Sequence, residues 1–263
     1  MIDLEQIESF YPEYLRAFKK NLLREYLQYK ILEIIFDSKF GKNLAFMGGT
    51  ALRIIYSIDR FSEDLDFDNL GLGKMDFENL VELIRKNLER MGYVVEIKNV
   101  FKGAYRSYIK FVDILYDSKI SPHKNEKLLI QVDTEPQMFR YNPSRKIINK
   151  FDVFLRLNAV PQEILLSQKI ACIFSRKRPM GRDFYDVVFL MGRTKPNFEY
   201  LKLKLNINSG EDLKNMLVTE CKKFDFKSLA KDMEPILINP SGEKKVFHFL
   251  DYIENTNFTF HSD

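Results

Sequence analysis

Apolar positions recur along this chain with two different periods, and the changes of period mark its elements. From Leu15 to Phe36 the residues Leu15, Phe18, Leu22, Leu23, Tyr26, Leu27, Ile31, Leu32 and Ile35 keep helical spacing. That spacing predicts a long amphipathic helix ending before Gly41. Asn43 to Met47 is a short apolar run that stops at Gly48-Gly49, and Thr50 is placed to cap a following helix, ALRIIYS. Asp64, Asp66 and Asp68 then alternate with Leu65 and Phe67, the period of two of a half-buried strand. Asp76 is placed to cap a second amphipathic helix through Met91, with Gly92 as its C-cap. Val94 to Phe101, Tyr105 to Tyr116 and Leu128 to Asp133 are rich in Ile, Val, Tyr and Phe and read as strands.

Beyond Val160 the pattern turns helical. PQEILLSQKIACIFSRKR places Pro161 in a first turn, and GRDFYDVVFLMGR reads as a helix between glycines. Glu211 to Lys223, Phe226 to Leu237 and Lys244 to Ile253 continue the same way. The expected fold class is α+β: a mixed sheet flanked by helices in residues 1–155, joined to a helical half in residues 156–263. No internal repeat or low-complexity linker separates the two.

Composition narrows the chemistry. The chain has 263 residues, 45% hydrophobic and 30% charged, which is the balance of a globular protein. Two cysteines, Cys172 and Cys221, form neither a CxxC nor a disulfide framework, so the expected setting is a reducing cytoplasm. No apolar run approaches the roughly 20 residues that cross a bilayer, and MIDLEQIESF lacks the pattern of a signal peptide. With only three scattered histidines, His123, His248 and His261, a histidine-built zinc site or a Ser-His-Asp triad is not expected. The net charge of +4 is compatible with a polyanionic partner without establishing one.

The candidate chemistry sits between Phe46 and Asn69. On a strand, Leu65 and Phe67 point to the core while Asp64 and Asp66 share the opposite face, about 6–7 Å apart. Two like charges so placed are unfavourable without a cation, and Mg²⁺, which takes oxygen ligands, fits. A solvated edge strand is the plain alternative for a lone DxD. The preceding Gly48-Gly49 turn changes that balance, because a glycine turn at a helix start lets backbone N–H groups approach a phosphate. A phosphate cradle followed by paired carboxylates is the layout of phosphoryl or nucleotidyl transfer, and the absence of a Walker lysine excludes a P-loop NTPase.

GGTAL followed by RFSEDLDF, with thirteen residues between Thr50 and Asp64, resembles the AbiEii/AbiGii-type nucleotidyltransferase toxins, a branch of the DNA polymerase β-like superfamily. Arg60 and Ser62 match the R-x-S-x-D-L-D-F of that pattern. SQKIACIFSRKRPMGRDFYDVVFL resembles its K-x-x-A…R…R-D-x-x-D motif. The resemblance implies a polymerase β-like core whose triphosphate cradle is Gly48, Gly49 and Thr50, with Arg60, Ser62 and Arg176 on the nucleotide. It implies that Lys169 neutralises the triphosphate and that Asp183 or Asp186 is an active-site acid. A third metal ligand is expected on a neighbouring strand: Asp133, with Glu135 and Asp113 as alternatives.

The expected reaction is two-metal transfer of an NMP from an NTP to an acceptor, with Mg²⁺ (or Mn²⁺) held by Asp64, Asp66 and Asp133. The resemblance further implies a toxin held in check by a separately encoded antitoxin, with RNA, notably the tRNA 3′ end, as acceptor. Two other readings stay open. One is an enzyme of the same fold that nucleotidylates a protein side chain; the other is a non-catalytic nucleotide-binding module. The basic runs SRKR and Cys221 to Lys227 are candidate contacts for RNA phosphates; the second reads better as a solvated helix end, and the phenylalanines read as core.

Overall fold

The computed structural model describes residues 2–258, so His261 lies outside the described residues. The chain divides into two compact units, one comprising residues up to Ser57 and 61–160, the other residues 58–60 and those from Pro161 onward.

In the first unit a short capped helix α1 (Leu4–Ser9) and a 3₁₀ segment (Glu13–Phe18) precede α2 (Lys19–Phe36). There follow β1 (Leu44–Met47), α3 (Gly48–Tyr56), β2 (Leu65–Asn69), α4 (Lys74–Arg90), β3 (Val95–Lys102) and β4 (Ala104–Phe111). The unit ends with the single turn α5 (Ile114–Asp117), then β5 (Leu128–Glu135), β6 (Ser144–Lys150) and β7 (Val153–Ala159). The strands form one mixed seven-stranded sheet in the order β3-β4-β5-β2-β1-β7-β6. Pairing is parallel between β2 and β5 and between β1 and β7, and antiparallel elsewhere.

Strand parity sorts the side chains. Leu65 and Phe67 of β2, Ile130 and Val132 of β5, and Leu155 and Leu157 of β7 are buried on the face packed against the helices. Asp66, Asp133 and Arg156, one residue out of phase, share the other face. That is the division of labour expected of an alternating strand.

Several sequence expectations change: Gly73 rather than Asp76 precedes the helix α4, and the strand expected to reach Tyr116 stops at Phe111. The helix α2 is buried on nearly all sides rather than along one stripe: every residue from Leu22 to Leu32 is buried. Its polar residues tolerate this because each has a partner. Glu25 takes Arg53 and Lys150, both at 2.9 Å, and Arg24 meets Glu63 at 2.6 Å. Thr50 is not a helix cap, since α3 begins at Gly48 with Met47 in the cap position. Residues 144–159 form a hairpin, so residue 155 lies inside β7. The chain leaves the first unit after Val160.

The second unit is helical: α6 (Gln162–Ser175), α7 (Gly181–Met191), α8 (Phe198–Leu205), α9 (Gly210–Cys221), α10 (Phe226–Lys231), α11 (Lys244–Phe247) and α12 (Phe249–Asn255). Phe184 of α7 is its packing centre, with edge-on contacts to Phe224, Phe226 and Phe249. Gly181 opens α7 where a Cβ would overlap the carbonyl oxygen of Leu229, so the backbone contact there needs glycine.

Candidate active site

In the first unit the acids are placed by register. Asp66 of β2 stands directly opposite Asp133 of the parallel neighbour β5, and Asp68 opposite Glu135. Neighbouring strands lie about 4.8 Å apart, so the Asp66 and Asp133 carboxylates leave the same face side by side. On the other flank Asp66 pairs with Met47, the last residue of β1. The turn follows at once: Gly48 has φ +78°, and a Cβ on it would overlap the Asp66 carboxylate. Only glycine lets the start of α3 lie this close to the acid.

The run-in to β2 is held from two sides. Thr50, fully buried, donates its hydroxyl to the carbonyl oxygen of Asp64. Gln28 of α2 donates its side-chain amide to the carbonyls of Ser62 (3.1 Å) and Glu63 (2.9 Å). Thr50, expected at the nucleotide, thus holds the backbone that carries Asp64, and Ser62, also expected there, is part of the segment that Gln28 holds. Asp64 itself precedes β2 rather than lying in it.

Asp133 is oriented by neighbours. Arg106, its register partner on β4, donates Nε to both carboxylate oxygens at 2.8 and 3.0 Å, and Gln131 donates at 2.9 Å. The Asp133 carboxylate holds the Arg106 guanidinium firmly protonated, above its ordinary pKa. Asp68 is buried and structural: Tyr141 donates its hydroxyl at 2.6 Å and Gln137 its backbone N–H at 2.9 Å, tying the segment after β5 to β2. Glu135 is exposed. Asp113 is in the left-handed region beyond Phe111, at the opposite end of β4 from Arg106. It is remote from Asp133 and is no third ligand.

Among the described residues no group of three or more His, Cys, Asp or Glu forms a ready cage for a metal. Two facing carboxylates suit Mg²⁺ in particular, which is commonly held by one or two carboxylates together with substrate phosphates and water.

The second unit holds a buried charge cluster. Arg60, within a three-residue segment assigned to this unit, grips Asp186 of α7 with two parallel hydrogen bonds, Nε to Oδ1 and Nη2 to Oδ2, both 2.7 Å. Lys169 of α6 lies 2.8 Å from Asp186 and 3.9 Å from Asp183, and Arg176 lies 2.9 Å from Asp183. Both aspartates are fully buried. Three cations thus face two acids. Burial opposes the charge of Asp186, but Arg60 and Lys169 outweigh it and hold its pKa below the usual aspartate value. Burial likewise opposes the charge of Lys169, and Asp186 with Asp183 keeps it raised and protonated.

The helical spacing of Lys169 and Arg176 does bring both to Asp183. Arg60 departs from expectation: fully buried and committed to Asp186, it braces the cluster. Asp183 differs from Asp186, since neither of its oxygens accepts an aligned hydrogen bond. Sequence reasoning missed Gln28, Arg106 and Tyr141. Arg106 had a faint signal, a charged residue in the strand-like run Tyr105 to Tyr116; Gln28 and Tyr141 had none.

This fold is shared with known proteins. The crystal structure of JHP933 from Helicobacter pylori matches with a TM-score of 0.53 and 18% identity, covering 89% of this chain and 91% of that one. A presumed nucleotidyltransferase from the same organism matches with a TM-score of 0.55 and 19% identity, covering 88% and 93%. No protein of curated function matches. The family model for the nucleotidyl transferase AbiEii toxin of type IV toxin–antitoxin systems spans residues 30–241, and the chain belongs to that family. A toxin of such a system has a separate antitoxin as its partner. No helix among the described residues is long and apolar enough to cross a membrane.

Proposed function

We propose that this chain transfers an NMP from an NTP to a hydroxyl of RNA, with the tRNA 3′ end as the leading acceptor. The observation that carries the reading is the register of Asp66 against Asp133 beside a glycine turn that tolerates no Cβ. In this scheme the acceptor hydroxyl gives its proton to solvent as its oxygen bonds to the α-phosphorus, the bond from that phosphorus to the bridging oxygen of the β-phosphate breaks, and pyrophosphate leaves. Asp66 and Asp133, with Asp64 beside them, would hold Mg²⁺, which supplies positive charge to the phosphate oxygens when bound. Gly48 and Gly49 present backbone N–H groups at the start of α3 to the triphosphate. The family resemblance, rather than a contact in this structure, is what assigns Lys169 to the charge building on pyrophosphate. Asp183 is the better candidate for a working acid, because Asp186 is occupied by Arg60 and Lys169.

The test is incubation with α-phosphate-labelled NTPs, Mg²⁺ and total RNA. Label in RNA supports the proposal. Label only in protein moves the acceptor to a side chain, and NTP binding without transfer leaves a non-catalytic module.

A further inference from the structure

Most described phenylalanines are buried or half-buried, and Phe154, like Phe10 and Phe247, is not: it lies 70% exposed near the start of β7. An exposed aromatic on a strand leaves apolar surface in water that packing would bury, so its surroundings bear on its use. Across the β6–β7 ladder Phe154 pairs with Asn149, and Ile147, also exposed, pairs with Arg156. Phe154 and Arg156 are two residues apart and therefore share a face of β7.

The charges there have one sign. Arg156 and Arg145 line a groove of about 330 Å³ together with Lys39 and Lys42, and no acidic side chain lines it. Several other cations of this unit do have acid partners, as Lys30 has Glu33 and Lys150 has Glu25. Four cations gathered without acids repel one another, and the arrangement is relieved by a polyanion.

We infer that the exposed face of β6 and β7, with its adjoining groove, binds single-stranded RNA, the groove cations taking phosphates and Phe154 stacking on a base. This inference rests on RNA being the acceptor. Basic grooves flanked by an exposed ring are the arrangement by which unpaired bases and their backbone are held together. An acidic protein would use the cations equally well but would gain little from an isolated ring face. The charge and the aromatic together therefore favour RNA.

The probe is a short labelled single-stranded RNA of mixed sequence, titrated with the full chain and read by fluorescence anisotropy at several salt concentrations. Arg145→Glu combined with Arg156→Glu is expected to weaken binding at least about tenfold and to lower the salt slope by about 2. Phe154→Ala is expected to weaken it about tenfold with the slope unchanged. These side chains are exposed, so circular dichroism and melting should match the wild type. Unchanged affinity in Phe154→Ala overturns the inference, as does polyglutamate binding as tightly as RNA, which would assign the face to a protein partner. Transfer from NTP is read separately. Transfer to RNA with unaltered binding by the variants removes this face and leaves the acceptor reading. Variant-sensitive binding without any transfer removes the acceptor reading and leaves the face.

Discussion

Asp66 and Asp133 occupy matched positions on adjacent parallel strands, so two carboxylates emerge side by side from one sheet face. Such a pair is unfavourable alone. Arg106 relieves Asp133 from the far side, while Asp66 faces the glycine turn at Gly48. The two acids are therefore not equivalent. Asp133 is held in place by its neighbours, and Asp66 lies beside the turn proposed to cradle the triphosphate.

Gly48→Ala tests that contact. The backbone there is left-handed, and the added methyl would meet the Asp66 carboxylate. We expect a loss of about 1–3 kcal/mol in chemical denaturation. Transfer should fall further than stability does, because Asp66 must move. Wild-type transfer by a stable Gly48→Ala protein would contradict the proposed closeness of turn and acid.

Gln28→Ala removes two hydrogen bonds to the segment before Asp64. Two part-buried hydrogen bonds are lost, at about 0.5–1.5 kcal/mol each. Because Gln28 is placed as a positioning residue, the expected kinetic signature is a higher Mg²⁺ requirement with a smaller change in maximal rate. A change in stability with an unaltered Mg²⁺ dependence would reduce Gln28 to a structural role.

Asp186 and Asp183 should separate by stability. Asp186→Ala leaves Arg60 and Lys169 buried without their shared partner, and a loss of about 3–5 kcal/mol is expected. Asp183→Asn should keep most of the stability, since Arg176 is over a third exposed and can turn to water. The pH dependence has a definite sign. The pKa of Asp186 is lowered in the folded state, so its contribution is present above the unfolded value of about 4 and lost as pH falls through the folded one. Melting followed below about pH 4 should decline more steeply for the wild type than for Asp186→Asn.

The sheet-and-helix division was legible because period-two and helical patterns are written in the residues themselves. So was the DxD strand, whose alternation is its own evidence. The β6–β7 hairpin was not, because Arg145, Lys146, Asn149 and Arg156 dilute the apolar alternation of strands near a sheet edge. The pairing of Arg60 with Asp186 spans 126 residues, and no local spacing encodes it. Motif matching suggested a nucleotide role for Arg60; burial reveals a brace. Thr50 shows the same limit. Its position after the glycines suited a cap or a phosphate ligand, and its hydroxyl instead holds the Asp64 carbonyl.

The central claim, nucleotidyl transfer at Asp66 and Asp133, is tested most directly by comparing NTP labelled at the α-phosphate with NTP labelled at the γ-phosphate, using wild type and Asp66→Asn. The account predicts α-label in RNA, no γ-label, and a fall of about 10²–10³-fold in Asp66→Asn. Transfer of γ-label, or undiminished α-transfer by Asp66→Asn, would contradict it.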